Sequence, residues 1–239
     1  MLSFGPRSFG RRSLLARLAG SAAVLGVFAF ASAAKTRAAG TDIGEIAKLR
    51  GTARLLRGNT SQFAKQGMSL DIGDILLTGP DARLRVRLLD GSMLTLGENS
   101  RLVIDQASFD PASGDREVGV SLFDGILRSS VAKVKGRSVF EVKSNLVASA
   151  ARSTEWVLEL KGPAASLMVI EGTVAATATA ETVEDLPDSP IAKGVDLEAG
   201  YGMLIGPPTR MLGVPLADLG RPIKWPTAKI KKLETATDF

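Results

Sequence analysis

The sequence predicts an all-β protein: twisted antiparallel hairpins that form a sandwich, a roll or a barrel-like domain. Three observations predict it. Apolar residues recur with period two between Ile43 and Ile205, glycines arrive at short intervals, and no long window after position 42 keeps a helical stripe. In Arg83 to Leu88, Leu84, Val86 and Leu88 alternate with Arg83, Arg85 and Arg87. Val118, Val120 and Leu122 alternate with Glu117, Gly119 and Ser121, and Phe140 and Val142 with Glu141 and Lys143. One face of each strand is then buried and the other wet.

The first forty residues have a different character. Arg7, Arg11, Arg12 and Arg17 precede an uncharged apolar run, Leu18 to Ala34, that ends in small residues. This is the order of a secretory signal. Arg11-Arg12 followed by Ser13-Leu14-Leu15 resembles a twin-arginine export motif, with Gly10 where Ser or Thr is usual. An ordinary secretory signal and an uncleaved anchor are the alternatives. The expected cleavage lies between Ala33 and Ala38, the expected compartment is the periplasm, and membrane contact is expected only through an uncleaved signal. The expected division is a signal segment at 1–38, a β domain at 42–205 and a Pro-rich tail at 206–239, partly disordered or packed on the domain.

Charge follows the same division. Six of the thirty basic residues precede the first acid, Asp42, so 24 basic residues face 25 acidic ones in the rest. The basic excess belongs to the export segment, and nucleic acid is not an expected partner. The chain has no Cys and no His. That excludes disulfides, thiol nucleophiles, cysteine-ligated zinc and the commonest general base.

An acid-Gly pair follows two apolar residues at Leu88-Leu89-Asp90-Gly91, Leu122-Phe123-Asp124-Gly125 and Val169-Ile170-Glu171-Gly172. Leu197-Glu198-Ala199-Gly200 is a looser copy. Between strand-like runs such pairs signal tight turns, so the expectation is a hairpin at each. The copies are unevenly spaced, which excludes a strict solenoid.

The run GDILLTGPDARLRVRLLDGSMLTLGENSRLVI (73–104) resembles the most recognisable stretch of the FecR domain. LFDGILRSSVAKV (122–134), FEVKSNLVASAARSTEWVLEL (140–160) and VIEGTVAAT (169–177) extend the resemblance, which covers about 46–205. It implies that Gly73, Asp74, Thr78, Gly79, Asp90, Gly91, Ser92, Gly125 and Gly172 are structural turn residues. It also implies an extracytoplasmic sensing or interaction module. The archetypal FecR protein carries a cytoplasmic anti-sigma segment ahead of a membrane helix. Only about 17 residues precede the apolar run here, so that half is expected to be missing. One departure stands out: Arg152-Ser153-Thr154 occupies the place of the family's Arg-Gly-Thr. Serine disfavours positive φ, which predicts an altered turn there.

Four sets of residues could carry chemistry. Arg83, Arg85 and Arg87 share one strand face, which suits either an anionic partner or a solvated surface with cross-strand acids. Asp71, Asp74, Asp90, Glu98 and Asp105 lack a calcium-loop pattern and read as turn and surface acids. Ser92, Ser129 and Ser153 have no His partner. Trp156 and Phe140 read as core, and Trp225 is the residue that could lay the tail over the domain. The resulting expectation is an exported binding or sensory module, not an enzyme, without cofactor or metal. Its partner is a protein of the cell envelope, with an envelope polysaccharide as the second class. The alternatives are a carbohydrate-active enzyme using paired carboxylates and a structural envelope protein.

Overall fold

The computed structural model describes residues 42–179, 190–206 and 220–239. The expected export segment with Arg11 and Arg12, the acidic loop at 180–189 and the stretch 207–219 lie outside the described residues.

In chain order the first strands are β1 (Gly44–Arg50), β2 (Ala53–Arg57), β3 (Thr60–Phe63), β4 (Ser69–Leu70), β5 (Ile75–Thr78) and β6 (Arg83–Leu88). Next come β7 (Met93–Leu96), β8 (Arg101–Phe109), β9 (Arg116–Ser130), β10 (Ser138–Lys143), β11 (Val147–Ala151) and β12 (Glu155–Lys161). The last are β13 (Ala164–Glu171), β14 (Thr173–Ala178), β15 (Val195–Glu198), β16 (Tyr201–Ile205) and β17 (Ile223–Lys224), followed by helix α1 (Thr227–Thr237).

The strands form two layers that share one strand. Sheet A runs β4-β1-β6-β7-β9-β12-β13-β16-β17. Sheet B runs β3-β2-β5-β8-β9-β10-β11-β14-β15. The all-β class is thus as expected, as an open double layer and not a closed barrel. One pairing departs from the antiparallel expectation: β9 and β10 run parallel, Arg116 beside Ser138 through Ser121 beside Lys143.

The long strand β9 holds the layers together. Residues 116–124 pair with β8 in sheet B, and residues 125–130 pair with β7 and β12 in sheet A. At the crossing Arg101 faces Asp124 while Leu102 faces Leu122, so Phe123 is the extra residue of a bulge. Phe123 and Asp124 are both exposed, and the inward phase shifts from Val118, Val120 and Leu122 to Leu127 and Ser129.

This corrects the hairpin expectation at three of the four acid-Gly sites. Asp90-Gly91 does close the β6–β7 hairpin. Asp124-Gly125 lies inside β9, where the chain changes layer. Glu171-Gly172 joins β13 of sheet A to β14 of sheet B, and Glu198-Ala199-Gly200 joins β15 of sheet B to β16 of sheet A. Neither pair of strands is hydrogen-bonded to itself. Gly125 and Gly172 have φ of 82° and 83°, and a bend between layers needs that conformation as much as a hairpin does. At Gly125 a Cβ would stand 2.6 Å from Ser100 Cα, which also requires Gly.

The altered turn expected at Ser153 is also corrected. Ser153 has φ 49° and keeps the left-handed bend between β11 and β12 without a glycine. Thr154 Oγ1 supports it by donating to the carbonyls of Arg152 at 2.8 Å and Thr173 at 3.1 Å.

The main core lies between the layers and includes Ile46, Leu55, Leu84, Leu102, Val120, Phe140 and Trp156. Phe140 and Trp156 meet edge to face with centroids 5.9 Å apart. A second, smaller core covers the outer face of sheet A. There Trp225 and Leu233 of the C-terminal segment pack on Ile126, Val157 and Met168. Residues 156–158 and 167–169 are therefore buried on both faces, and their sequences, Trp-Val-Leu and Leu-Met-Val, lose the polar alternation.

Candidate interaction surfaces

The motif residues resolve into two polar anchors. Asp74 is fully buried, and Arg57 donates to it from Nε at 2.7 Å and from Nη2. Arg57 also reaches Asp71 at 2.6 Å and the Ser69 carbonyl at 3.0 Å. The hydrogen bond and charge of Asp74, with the charge of Asp71, raise the Arg57 pKa above its ordinary value despite partial burial. The second anchor centres on Arg116 and Asp90, whose side chains are 0% and 1% exposed and 2.6 Å apart. Ser92 Oγ donates to Asp90 at 2.6 Å and accepts the Ala132 N–H at 3.0 Å. Arg116 further donates to the Ala132 carbonyl at 2.9 Å and to Ser138 Oγ, and its guanidinium stands 5.5 Å from the Phe140 ring centroid. The Asp-Gly-Ser turn of sheet A is thereby tied to the starts of β9 and β10 in sheet B.

Neither arginine was singled out from the sequence, yet both carried a signal. Arg116 shares the inward phase of Val118, Val120 and Leu122, and Arg57 that of Ala53 and Leu55. A charge at an inward position must find a buried partner.

The other motif residues line bends. Thr78 Oγ1 donates to the Gly97 carbonyl at 2.6 Å and accepts the Ser100 N–H at 2.8 Å. The Gly79 N–H donates to the Thr52 carbonyl at 2.9 Å, and the Gly73 N–H to that of Ile104 at 2.8 Å. The remaining carboxylates each have a local partner. Glu98 accepts the Asp81 N–H at 3.1 Å, and Asp105 accepts Ser121 Oγ at 2.6 Å. Among the described residues, no group of three or more acids gathers as a metal site would require.

The arginine face of β6 lies on the outside of sheet A. One cross-strand row there reads Lys48, Arg85, Thr95, Arg128, Val157, Met168, Gly202 and Ile223. Its cationic half is met by the last two residues of the chain. The Phe239 ring centroid lies 4.7 Å from the Arg85 guanidinium and 4.8 Å from Lys48 Nζ. Asp238 pairs with Arg128 at 3.0 Å, and Arg128 also holds Glu155 at 2.7 Å. Arg87 pairs with Glu45 across the strands, and Arg83 donates to the Ala82 carbonyl at 2.9 Å. The apolar half is covered by Trp225 and α1. Lys229 Nζ stands 3.6 Å above the Trp225 ring, and desolvation there lowers its pKa.

Among the described residues the one α-helix packs on sheet A, while a single 3-10 turn, Pro190–Lys193, lies against β14 of sheet B. The cross-strand row on the outer face of sheet B runs Phe63, Arg54, Leu77, Arg101 and Asp124, with Phe123 bulged beside it. Phe63 and Phe123 are 63% and 57% exposed, unlike the buried aromatics of the core. The Arg54 guanidinium lies 5.7 Å from the Phe63 centroid, and that of Arg101 lies 5.1 Å from Phe123. Among the described residues strand β3 ends this sheet and pairs with β2 alone, leaving an edge with no charged residue in Thr60–Phe63.

The fold is a double β layer whose sheet B sets arginines beside exposed aromatics on its outer face. Residues 74–175, which run from β5 to the middle of β14, match the family model described as FecR protein. The match is narrower than the resemblance in the sequence, and β1 to β4 and everything after Ala175 lie outside it. No curated protein matches the chain. Two crystal structures of a protein described as a "putative anti-sigma factor" from Parabacteroides distasonis ATCC 8503 align with it at 13% identity and a TM-score of 0.43. The alignment covers 63% of this chain and 58% of that one.

Proposed function

We propose that the protein is an exported sensory module of the periplasm that works by binding a protein of the cell envelope, without catalysis. The observation that carries this reading is the FecR domain set on a sheet whose outer arginines, Arg54 and Arg101, stack on exposed aromatics. Exposed aromatic and arginine side chains are the types enriched where proteins dock. The neutral β3 edge offers backbone groups to an extended partner segment. Export follows the Arg11-Arg12 signal, and cleavage near Ala33 to Ala38 releases the domain.

Cross-linking in intact cells, followed by purification, tests the reading. The expected result is one stoichiometric envelope protein, lost with Arg54→Glu/Arg101→Glu while the variant melts like the parent. Recovery of bulk polysaccharide with no protein partner overturns the protein-partner reading in favour of a structural envelope role. Replacing Arg11 and Arg12 with Lys is expected to block export, and unchanged export transfers the signal to the general secretory route.

A further inference from the structure

The row Lys48–Arg85–Thr95–Arg128 on sheet A has the chemistry of a receptor. Lys48 of β1 stands beside Arg85 of β6, and Thr95 of β7 separates Arg85 from Arg128 of β9, with Arg50, Arg83 and Arg87 on flanking positions of the same face. Two acids, Glu45 and Glu155, are engaged with Arg87 and Arg128. What fills the space between Lys48, Arg85 and Arg128 is a carboxylate and an aromatic ring in consecutive residues, Asp238 and Phe239.

Those two residues are held differently from the helix that precedes them. α1 is fastened by Leu233 and Thr237, 5% and 0% exposed, and by the packing around Trp225. The chain leaves the helix at Asp238, which is extended at φ −83° and ψ 156°. The Asp238 side chain is 62% exposed, and its ion pair is of the surface kind that contributes little. The Phe239 ring makes two cation contacts and stands in neither apolar core. Asp238 and Phe239 can therefore leave without unpacking α1.

We infer that this face is a binding site for a partner protein's segment bearing an acid next to an aromatic residue, and that Asp238-Phe239 occupies it in cis as a resident competitor. The inference rests on the reading of the domain as a binding module and names one partner chemistry for it. The cis segment is held at high effective concentration, so a partner must bring either a better version of the same two groups or additional contacts along Arg83, Arg87 and Arg50.

The test uses a labelled peptide of residues 234–239, Glu-Thr-Ala-Thr-Asp-Phe, added to the full chain and to Asp238→Ala/Phe239→Ala. Fluorescence anisotropy reads the binding. Emptying the cradle is expected to tighten peptide binding by at least about tenfold, because only the unoccupied fraction competes for it. Adding Arg85→Gln/Arg128→Gln to the emptied chain is expected to lose that gain, with an unchanged melting temperature showing that the fold is intact. Equal binding to the full and emptied chains, no binding to either, or binding indifferent to Arg85 and Arg128 overturns the inference. The cross-linking outcome is independent of it: a partner lost with Arg54 and Arg101 but indifferent to this peptide leaves the module reading standing and removes only the cradle.

Discussion

Sheets A and B each extend four strands to either side of the shared β9, yet their outer faces have opposite fates. Sheet A is covered. Trp225 and α1 lie over its apolar half, and Asp238 and Phe239 over its cationic half. Among the described residues no α-helix covers sheet B, and it exposes Phe63 and Phe123 beside Arg54 and Arg101. Both faces combine arginines with apolar residues, so composition does not separate them. The difference lies in which described segments lie on each. Large aromatics exposed on a face that no described α-helix covers are the more telling for it.

The largest effect should come from cutting the tie between the layers. Arg116→Met leaves Asp90 buried without its cation and is expected to cost about 3–5 kcal/mol in urea unfolding. Adding Asp90→Leu should recover part of that loss, because no unpaired charge then stays buried. A loss no larger than that of a surface substitution would mean the two sheets hold together through the apolar core alone.

Next, the aromatics on the two outer faces should separate. Trp225→Ala strips the cover from sheet A and is expected to cost about 3 kcal/mol. Phe63→Ala on sheet B should change stability by no more than about 0.5 kcal/mol. Equal losses would erase the distinction between a covered face and a free one.

A smaller, opposite change is expected where the chain passes between layers. Ser153 sits at φ 49°, so Ser153→Gly should relieve a left-handed strain and stabilise by about 1 kcal/mol. Gly172→Ala should destabilise, since φ is 83° and the new Cβ would stand 2.8 Å from Thr154 Oγ1. Thermal melts of both variants measure the pair, and a destabilising Ser153→Gly would show that the serine is needed for something other than backbone conformation.

The smallest effect concerns the cover itself. Burial against Trp225 lowers the Lys229 pKa, with Glu159 opposing and Lys232 adding to the shift. The native protein then releases this proton at a lower pH than the unfolded chain does. Between those two values the unfolded state holds more protons, so stability rises with pH. Unfolding followed as pH is raised toward the ordinary lysine value should show that rise, and Lys229→Met should flatten it. The same slope in both proteins would assign the rise to other groups.

Much of this was legible in the residues. Period-two alternation marked β6, the first part of β9, and β10, and it placed Phe140 in the core. The unbroken apolar runs at Trp156-Val157-Leu158 and Leu167-Met168-Val169 mark strands buried on both sides, a sign that a second layer covers sheet A. The inward phase of Arg57 and Arg116 likewise marks the ion pairs to the buried carboxylates of Asp74 and Asp90. The acid-Gly sites were legible only as places where the backbone turns. Whether the next strand pairs with the last one or crosses to the other layer depends on hydrogen bonds to residues far away in sequence. A glycine at φ near 83° serves both outcomes.

By itself, then, the sequence determined the all-β class, the inward and outward faces of its strands, and the glycines its backbone bends require. These depend on local sterics and on which side chains water rejects. Only the tertiary structure decided that β9 belongs to both sheets, that Asp90 meets Arg116, and that Trp225 closes one face while Phe63 and Phe123 stand open on the other. Those are choices of partner, made by packing and charge between residues that chain order keeps apart.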